Sequence, residues 1–287
     1  MNLEKVEVQR TRIAGGIDIH YAEAGRGSPL VFVHGGFGDW LSWAPQWPAF
    51  VPHFRCITYS RRYSTPNGNR STETDHSVIA EARDLEALLD FWEAESPVLV
   101  GTSYGAYTIL QLALTSGRKL GALALTEPPV LPLADLVPGG RAARIAFEED
   151  VLRSANEAFA SGETERAVYL LTEGINGNGP GEATSAEGLA RRMRNAEAMR
   201  ALSASSCAYP ALDTEKLRAL ELPTLLLSGE NTQPIHNAIF RGLCEVMPQA
   251  KRFCVPDSGH GVHRDNPAAF NQIVLQFVRE RVRKEGV

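Results

Sequence analysis

The chain has 287 residues, 44% of them apolar and 22% charged, with a formal net charge of −5. That length suffices for one large domain or two small ones around a substantial core. The negative balance argues against nucleic acid or an anionic membrane as the main partner, and no apolar run approaches the roughly 18 residues of a membrane span.

The N-terminal "MNLEKVEVQR" mixes charges with isolated valines and lacks the basic start and apolar stretch of a signal peptide. Cys56, Cys207, Cys244 and Cys254 form no CxxC and no Cys/His cluster with zinc-ligand spacing. They read as reduced thiols of a cytoplasmic protein.

Short apolar runs then alternate with helical segments. "LVFVHGG" (30–36), "CITYS" (56–60), "PVLVGTS" (97–103), "GALALTE" (121–127), "TLLLSGE" (224–230) and "RFCVPDS" (252–258) read as buried strands that end in loops. The segment 76–94 places Ile79, Ala82, Leu85, Leu88, Leu89 and Trp92 on one stripe. Segments 104–116, 235–247 and 267–282 behave likewise. The rhythm predicts an α/β fold with a mainly parallel sheet flanked by helices. From about Val130 to Ala219 no convincing strand occurs, and a loop "NGNGPGEA" (176–183) separates helical stretches. A helical cap or lid is expected at 131–214, inserted between core parts 1–130 and 215–287.

Three stretches carry chemistry. "VFVHGGFGDW" ends the third strand in a glycine turn that can aim a backbone N–H at a carbonyl oxygen. Gly36 is the first choice there and Phe37 the next, while His34 reads as a brace for the loop. "VLVGTSYGAY" holds Gly101-Thr102-Ser103-Tyr104-Gly105 between a strand and a helix, the context of a nucleophile elbow. It sets Ser103 at the apex and the Tyr104 amide at a helix N-terminus, which favours developing negative charge. "VPDSGHGVHRDNPAAF" places His260 directly after a Ser-Gly turn, where a general base for Ser103 belongs. His263 is its competitor and leads into the final helix. His20, His53, His76 and His236 read as surface or loop residues.

With these motifs in view, the chain resembles an α/β-hydrolase with a helical cap over nearly its whole length: an HGG loop, a G-x-S-x-G elbow, a strand ending in Ser-Gly-Glu, and a final Gly-His before an "NP" helix. Within that superfamily it resembles small-molecule serine esterases and lactonases. Two loops depart from the pattern. "YSRRYSTPN" lacks the usual Asp and Gly, and "GENTQP" has Thr232 where the resemblance leads one to expect the acid of the triad.

The acid has four candidates. Glu230 sits two residues early, Asp257 is too close in sequence to His260 to fold back onto its ring, and Asp265 is explained by helix capping. Glu127, in "LTEPPV", ends the strand after the elbow unit and so reaches the same sheet edge as Ser103. Two prolines stiffen its exit. Some relatives implied by the resemblance, certain lactonases and haloalkane dehalogenases, place their acid after this strand. Glu127 is therefore the expected acid and Glu230 the alternative.

The expected activity is a cofactor-independent, metal-free serine hydrolase cleaving a small-molecule carboxylic ester or lactone. Ser103, His260 and Glu127 form the triad, and Gly36, Phe37 and Tyr104 serve the oxyanion. A homodimer is compatible with this reading. Trp40, Trp43 and His34 join the expected pocket residues, although both tryptophans equally suit packing. Arg61 and Arg62 read as a solvated pair or as a meeting point for an anionic group. Carbon–carbon bond hydrolysis and hydroxynitrile lysis use the same triad and stay open. So does a binding protein on the same fold, with Thr232 marking a lost triad.

Overall fold

The structure is a computed structural model describing residues 1–70, 76–177 and 185–282. Strands β1 (Gln9–Ile13), β2 (Ile17–Ala24) and β3 (Pro29–Val33) lead into a short helix α1 (Trp47–Phe50) and β4 (Arg55–Tyr59). Helix α2 (Val78–Phe91), β5 (Val98–Thr102), α3 (Tyr104–Thr115) and β6 (Ala122–Thr126) follow. Among the described residues six α-helices come next: α4 (Gly140–Ala146), α5 (Ser154–Ala160), α6 (Thr164–Asn176), α7 (Ala186–Met193), α8 (Ala196–Ala204) and α9 (Thr214–Arg218). The chain closes with β7 (Thr224–Gly229), α10 (Pro234–Val246), β8 (Lys251–Val255), α11 (Val262–Asp265) and α12 (Pro267–Val282).

The eight strands form one sheet in the order β1-β2-β4-β3-β5-β6-β7-β8. β1 and β2 pair antiparallel with their neighbours, and every pairing from β4 across to β8 is parallel. This is the α/β-hydrolase architecture expected from the sequence. Because side chains alternate across a strand, each central strand feeds two apolar layers. Val31, Val33, Leu99, Leu123 and Leu226 pack on the side of α2, α3 and α10. Leu30, Phe32, Val100, Ala124 and Leu227 pack on the other side against Trp43, Trp47 and Phe270. Each fully buried Leu, Ile or Phe contributes about 1.5–3 kcal/mol.

Two strands differ from the expected run of buried residues. In β8, Lys251, Arg252, Phe253 and Cys254 are exposed and Val255 alone is buried, because this strand is the sheet edge with one neighbour. At the opposite edge, β1 carries Arg10 and Arg12, both paired with Asp18 of β2. Charges on an edge strand oppose edge-to-edge pairing with other chains. Between β6 and β7 the described residues are helical or irregular, as the sequence predicts. Most of the loop at 176–183 lies outside the described residues. Among the cysteines, Cys56 and Cys244 are buried and Cys207 and Cys254 exposed, all as free thiols.

Candidate active site

β5 runs straight into α3, and the turn between them puts Ser103 at the helix N-cap with φ 52° and ψ −125°. A non-glycine residue there stores strain and persists only where its surroundings fix it. Gly105 makes the turn this tight: a Cβ on it would lie 2.3 Å from the Val33 carbonyl oxygen and 2.4 Å from that of His34. The α3 N-terminus is thus pressed against the end of β3, beside the His34-Gly35-Gly36 loop. The Tyr104 amide, in the first turn of α3, has no intrahelical partner.

That loop is held from behind. The His34 ring is fully buried. It accepts from the Arg61 amide through Nε2 at 2.9 Å and contacts the Gly35 carbonyl through Nδ1 at 2.8 Å. Nδ1 must therefore carry the proton. Burial, and then the charge of Arg61, hold His34 far below the ordinary imidazole range. Arg61 is not solvated, correcting the sequence expectation. It is buried, pairs with buried Glu81 at 3.0 Å, and lies over the Tyr104 ring at 5.0 Å. Its Nη2 donates to the carbonyls of Gly35 (3.2 Å) and Gly36 (3.4 Å). In a trans peptide the following N–H points the opposite way. The Gly36 and Phe37 amides are thereby directed away from the guanidinium. Arg62 is likewise engaged, with a two-pronged contact to Asp84.

Glu127 follows β6 with φ 42°, a second strained position on the same sheet edge. Its carboxylate is buried and accepts four hydrogen bonds. Oε1 takes Ser228 Oγ and the Gly229 amide, each at 2.9 Å. Oε2 takes Thr232 Oγ1 at 2.8 Å and His260 Nδ1 at 2.7 Å. Burial alone would raise this carboxyl. The hydrogen bond and charge of His260 and the Gly229 amide outweigh it and hold Glu127 below its ordinary value. Glu230 accepts instead from the exposed Asp257 amide. Asp265 accepts from the Gly259 amide, and the cap of α12 falls to Asn266. Of the candidate acids, Glu127 is the one that contacts the His260 ring.

Ser103, Thr102, Gly36, Phe37, Tyr104 and His260 line one cavity. Its far wall comes from the helical section, with Phe147, Leu152, Leu171, Ile175, Met199 and Leu202, and with Arg192 from α7. Met199 rests on the glycine loop: a Cβ on Gly36 would lie 2.7 Å from its sulfur. His263 and Arg264 of α11 complete the rim. The expected pocket residues Trp40, Trp43 and His34 do not line it. Trp43 is fully buried between Phe32, His263 and Phe270, and Trp40 packs on the same apolar layer. Both rings thus belong to the apolar layer that holds Phe32 and not to the cavity wall.

Two histidines differ from their sequence reading. His76 is buried beside Glu81, and desolvation followed by the charges of Arg61 and Arg62 pushes it down to about 2. His236 is buried on α10, with its ring stacked on His260 at 4.0 Å and 23°. Glu127, His236 and His260 each offer a ligand atom within 4.8 Å of the others. One proton sits in the 2.7 Å Glu127–His260 contact. A metal bound there would have to break that contact.

A sequence profile of the alpha/beta hydrolase family matches residues 30–273. Over 97% of its length the chain is 23% identical to a 2-hydroxy-6-oxo-6-(2'-aminophenyl)hexa-2,4-dienoic acid hydrolase of Metapseudomonas resinovorans, covering 93% of that protein. Among solved structures it is similar to Est816, described as an N-acyl homoserine lactone degrading enzyme, with a TM-score of 0.71 and 21% identity over 94% of this chain and 100% of the other. It is similar to the esterase RhEst1 from Rhodococcus sp. ECU1013, with a TM-score of 0.70 and 21% identity over 96% of this chain and 99% of the other.

Proposed function

Because this chain belongs to the alpha/beta hydrolase family, we propose that it is a serine hydrolase of small-molecule carboxylic esters or lactones, working through Ser103, His260 and Glu127 without a cofactor. The observation that carries this reading is the 2.7 Å contact between His260 Nδ1 and Glu127 Oε2, in a cavity shared with Ser103. A carboxylate can only accept, so Nδ1 is the donor and the Nε2 lone pair is left for proton transfer.

In this mechanism Ser103 Oγ attacks the carbonyl carbon, and its proton passes to His260 Nε2. The carbonyl π pair becomes an oxyanion that accepts from the amides of Tyr104 and of Gly36 or Phe37. The imidazolium is stabilised by Glu127 and returns the proton to the leaving alkoxide as the ester C–O bond breaks. Water, deprotonated by His260, then releases the acid from the acyl-enzyme and restores the Ser103 hydroxyl. Est816 and RhEst1 support this substrate class, and the leucine, isoleucine and phenylalanine wall suits an apolar acyl chain. Helices α4 to α8 serve as its cap, 131–214, over a core made of 1–130 and 215–287.

The test is a panel of p-nitrophenyl esters of graded chain length together with lactones, run on the parent protein and on Ser103→Ala. Turnover that Ser103→Ala abolishes is the expected result. Equal turnover by the two proteins contradicts it.

Carbon–carbon bond hydrolysis is a second reading, favoured by Arg192 and Arg264 on the cavity wall and by the Metapseudomonas relative. A 2-hydroxy-6-oxo-dienoic acid in the same panel separates the two. Faster cleavage of it than of any ester would move the assignment.

A further inference from the structure

His236 has no place in the triad, yet it lies flat against the proposed base. Its ring is 4.0 Å from the His260 ring at 23°, close to parallel. It is held from three sides. Nε2 is 3.2 Å from the Ile175 carbonyl oxygen, in the last turn of α6, where helix carbonyls lack intrahelical donors. Phe147 meets the ring edge-on at 6.1 Å. The backbone of α10 fixes the remaining side, with Ile235 and Ile239 buried in the core. The ring therefore bridges the helical section and the core, and the face it turns outward covers His260.

We propose that His236 is a positioning residue for the base: it holds the His260 ring between Glu127 and Ser103, and its π face stabilises the imidazolium formed when Ser103 loses its proton. This rests on the serine-hydrolase reading. A cation over an aromatic face is attracted by the ring quadrupole, most strongly where water is excluded. The stack needs His236 neutral while His260 cycles through its charged form. Burial, and then the neighbouring His260, push His236 down to about 3, against an opposing pull from Glu127 and the Ile175 carbonyl. Besides His236 and His260, the ionisable groups on this cavity are Tyr104, Tyr209, His263, Arg192 and Arg264. None of these has a ring stacked on His260 among the described contacts.

Three variants separate a ring face from mere filling of space. His236→Phe keeps the face, His236→Leu fills the space without one, and His236→Ala does neither. The expected result on the best ester of the panel is kcat within about threefold of the parent for His236→Phe, with KM little changed. His236→Leu and His236→Ala should lose about 10- to 30-fold in kcat. Melting temperatures are recorded alongside, and His236→Phe, nearest in shape, is the variant that must fold. Leu performing as well as Phe, Ala performing like the parent, or Phe falling as far as Ala would each overturn the proposal. Ser103→Ala and His260→Gln run in parallel. Turnover surviving in those two means the hydrolase reading has failed. Turnover lost in them but intact in His236→Ala means that the positioning role alone has failed.

Discussion

Four donors converge on Glu127, and one of them comes from the position where a carboxylate would be expected. Thr232 Oγ1 lies 2.8 Å from Glu127 Oε2, on the same oxygen that meets His260. The threonine is thus a partner of the acid. Glu127→Gln removes the charge that supports an imidazolium and makes half of the terminal group a donor facing donors. We expect its kcat to fall by about a thousandfold to ten-thousandfold, with Glu230→Gln within about twofold of the parent, read by steady-state kinetics on one ester. Thr232→Val should cost less. A hydrogen bond to a charged acceptor is worth about 1.5–3 kcal/mol, so a loss of about ten- to a hundredfold in kcat is expected. Parent-like rates for Thr232→Val would show that the three other donors suffice. At this scale Ser103, Glu127 and His260 could be picked out because strand ends and glycine turns flag them. Thr232, Ser228 and His236 could not, because each acquires its partner from a distant element. His236 reads from sequence as a surface or loop residue, and its burial against His260 emerges only once α10 is packed.

At the scale of elements, the loop after β4 and the stripe of α2 turn out to be one unit. Arg61 pairs with Glu81, Arg62 pairs with Asp84, and all four are largely buried. The periodicity of α2 points Glu81 and Asp84 inward with Ala82, Leu85 and Leu88, which reads as an interrupted apolar stripe until the two arginines are placed above it. Burial raises Glu81 and Asp84, and the arginines oppose that rise. Arg61→Met therefore strands a buried carboxylate and should destabilise by about 3–5 kcal/mol in urea unfolding. Adding Glu81→Leu should recover much of the loss. A double variant no more stable than the single one would contradict this pairing. Strand positions were legible because buried parallel strands are continuous apolar runs. Edge strands β1 and β8 were less so, since one neighbour and one solvent face leave their pattern mixed. Trp40 and Trp43 show the same limit: aromatic spacing near a glycine loop does not say whether a ring faces the cavity or the sheet.

At the scale of the molecule, four buried histidines set the response to acid. His34, His76, His236 and His263 are each depressed, with burial as the largest cause. A depressed histidine stays neutral when folded but takes up a proton near its ordinary value of 6.5 when unfolded. Its stabilisation is thus complete above about pH 6.5 and is lost as pH falls. Each such proton changes stability by about 1.4 kcal/mol per pH unit. Glu127 adds a loss of the same sign below about pH 4.5, whereas Glu81 and Asp84, held high, act in the opposite direction there. A clear fall in melting temperature between about pH 7.5 and about pH 5.5 is expected, and a flat profile would contradict it. The order of elements and the helical section were legible from periodicity. The cavity was legible in part: Phe37 and Tyr104 line it as expected, whereas the residues of its far wall belong to a part of the chain that meets them only after folding.

The central claim is that Ser103 is a nucleophile activated by His260 and Glu127. Labelling of the folded protein with a fluorophosphonate, followed by mass spectrometry of its peptides, tests it most directly. The account predicts one adduct, on Ser103, formed as fluoride leaves phosphorus, with labelling slowed strongly in Glu127→Gln and absent in Ser103→Ala. A folded protein that turns over esters yet carries no adduct on Ser103 would contradict it.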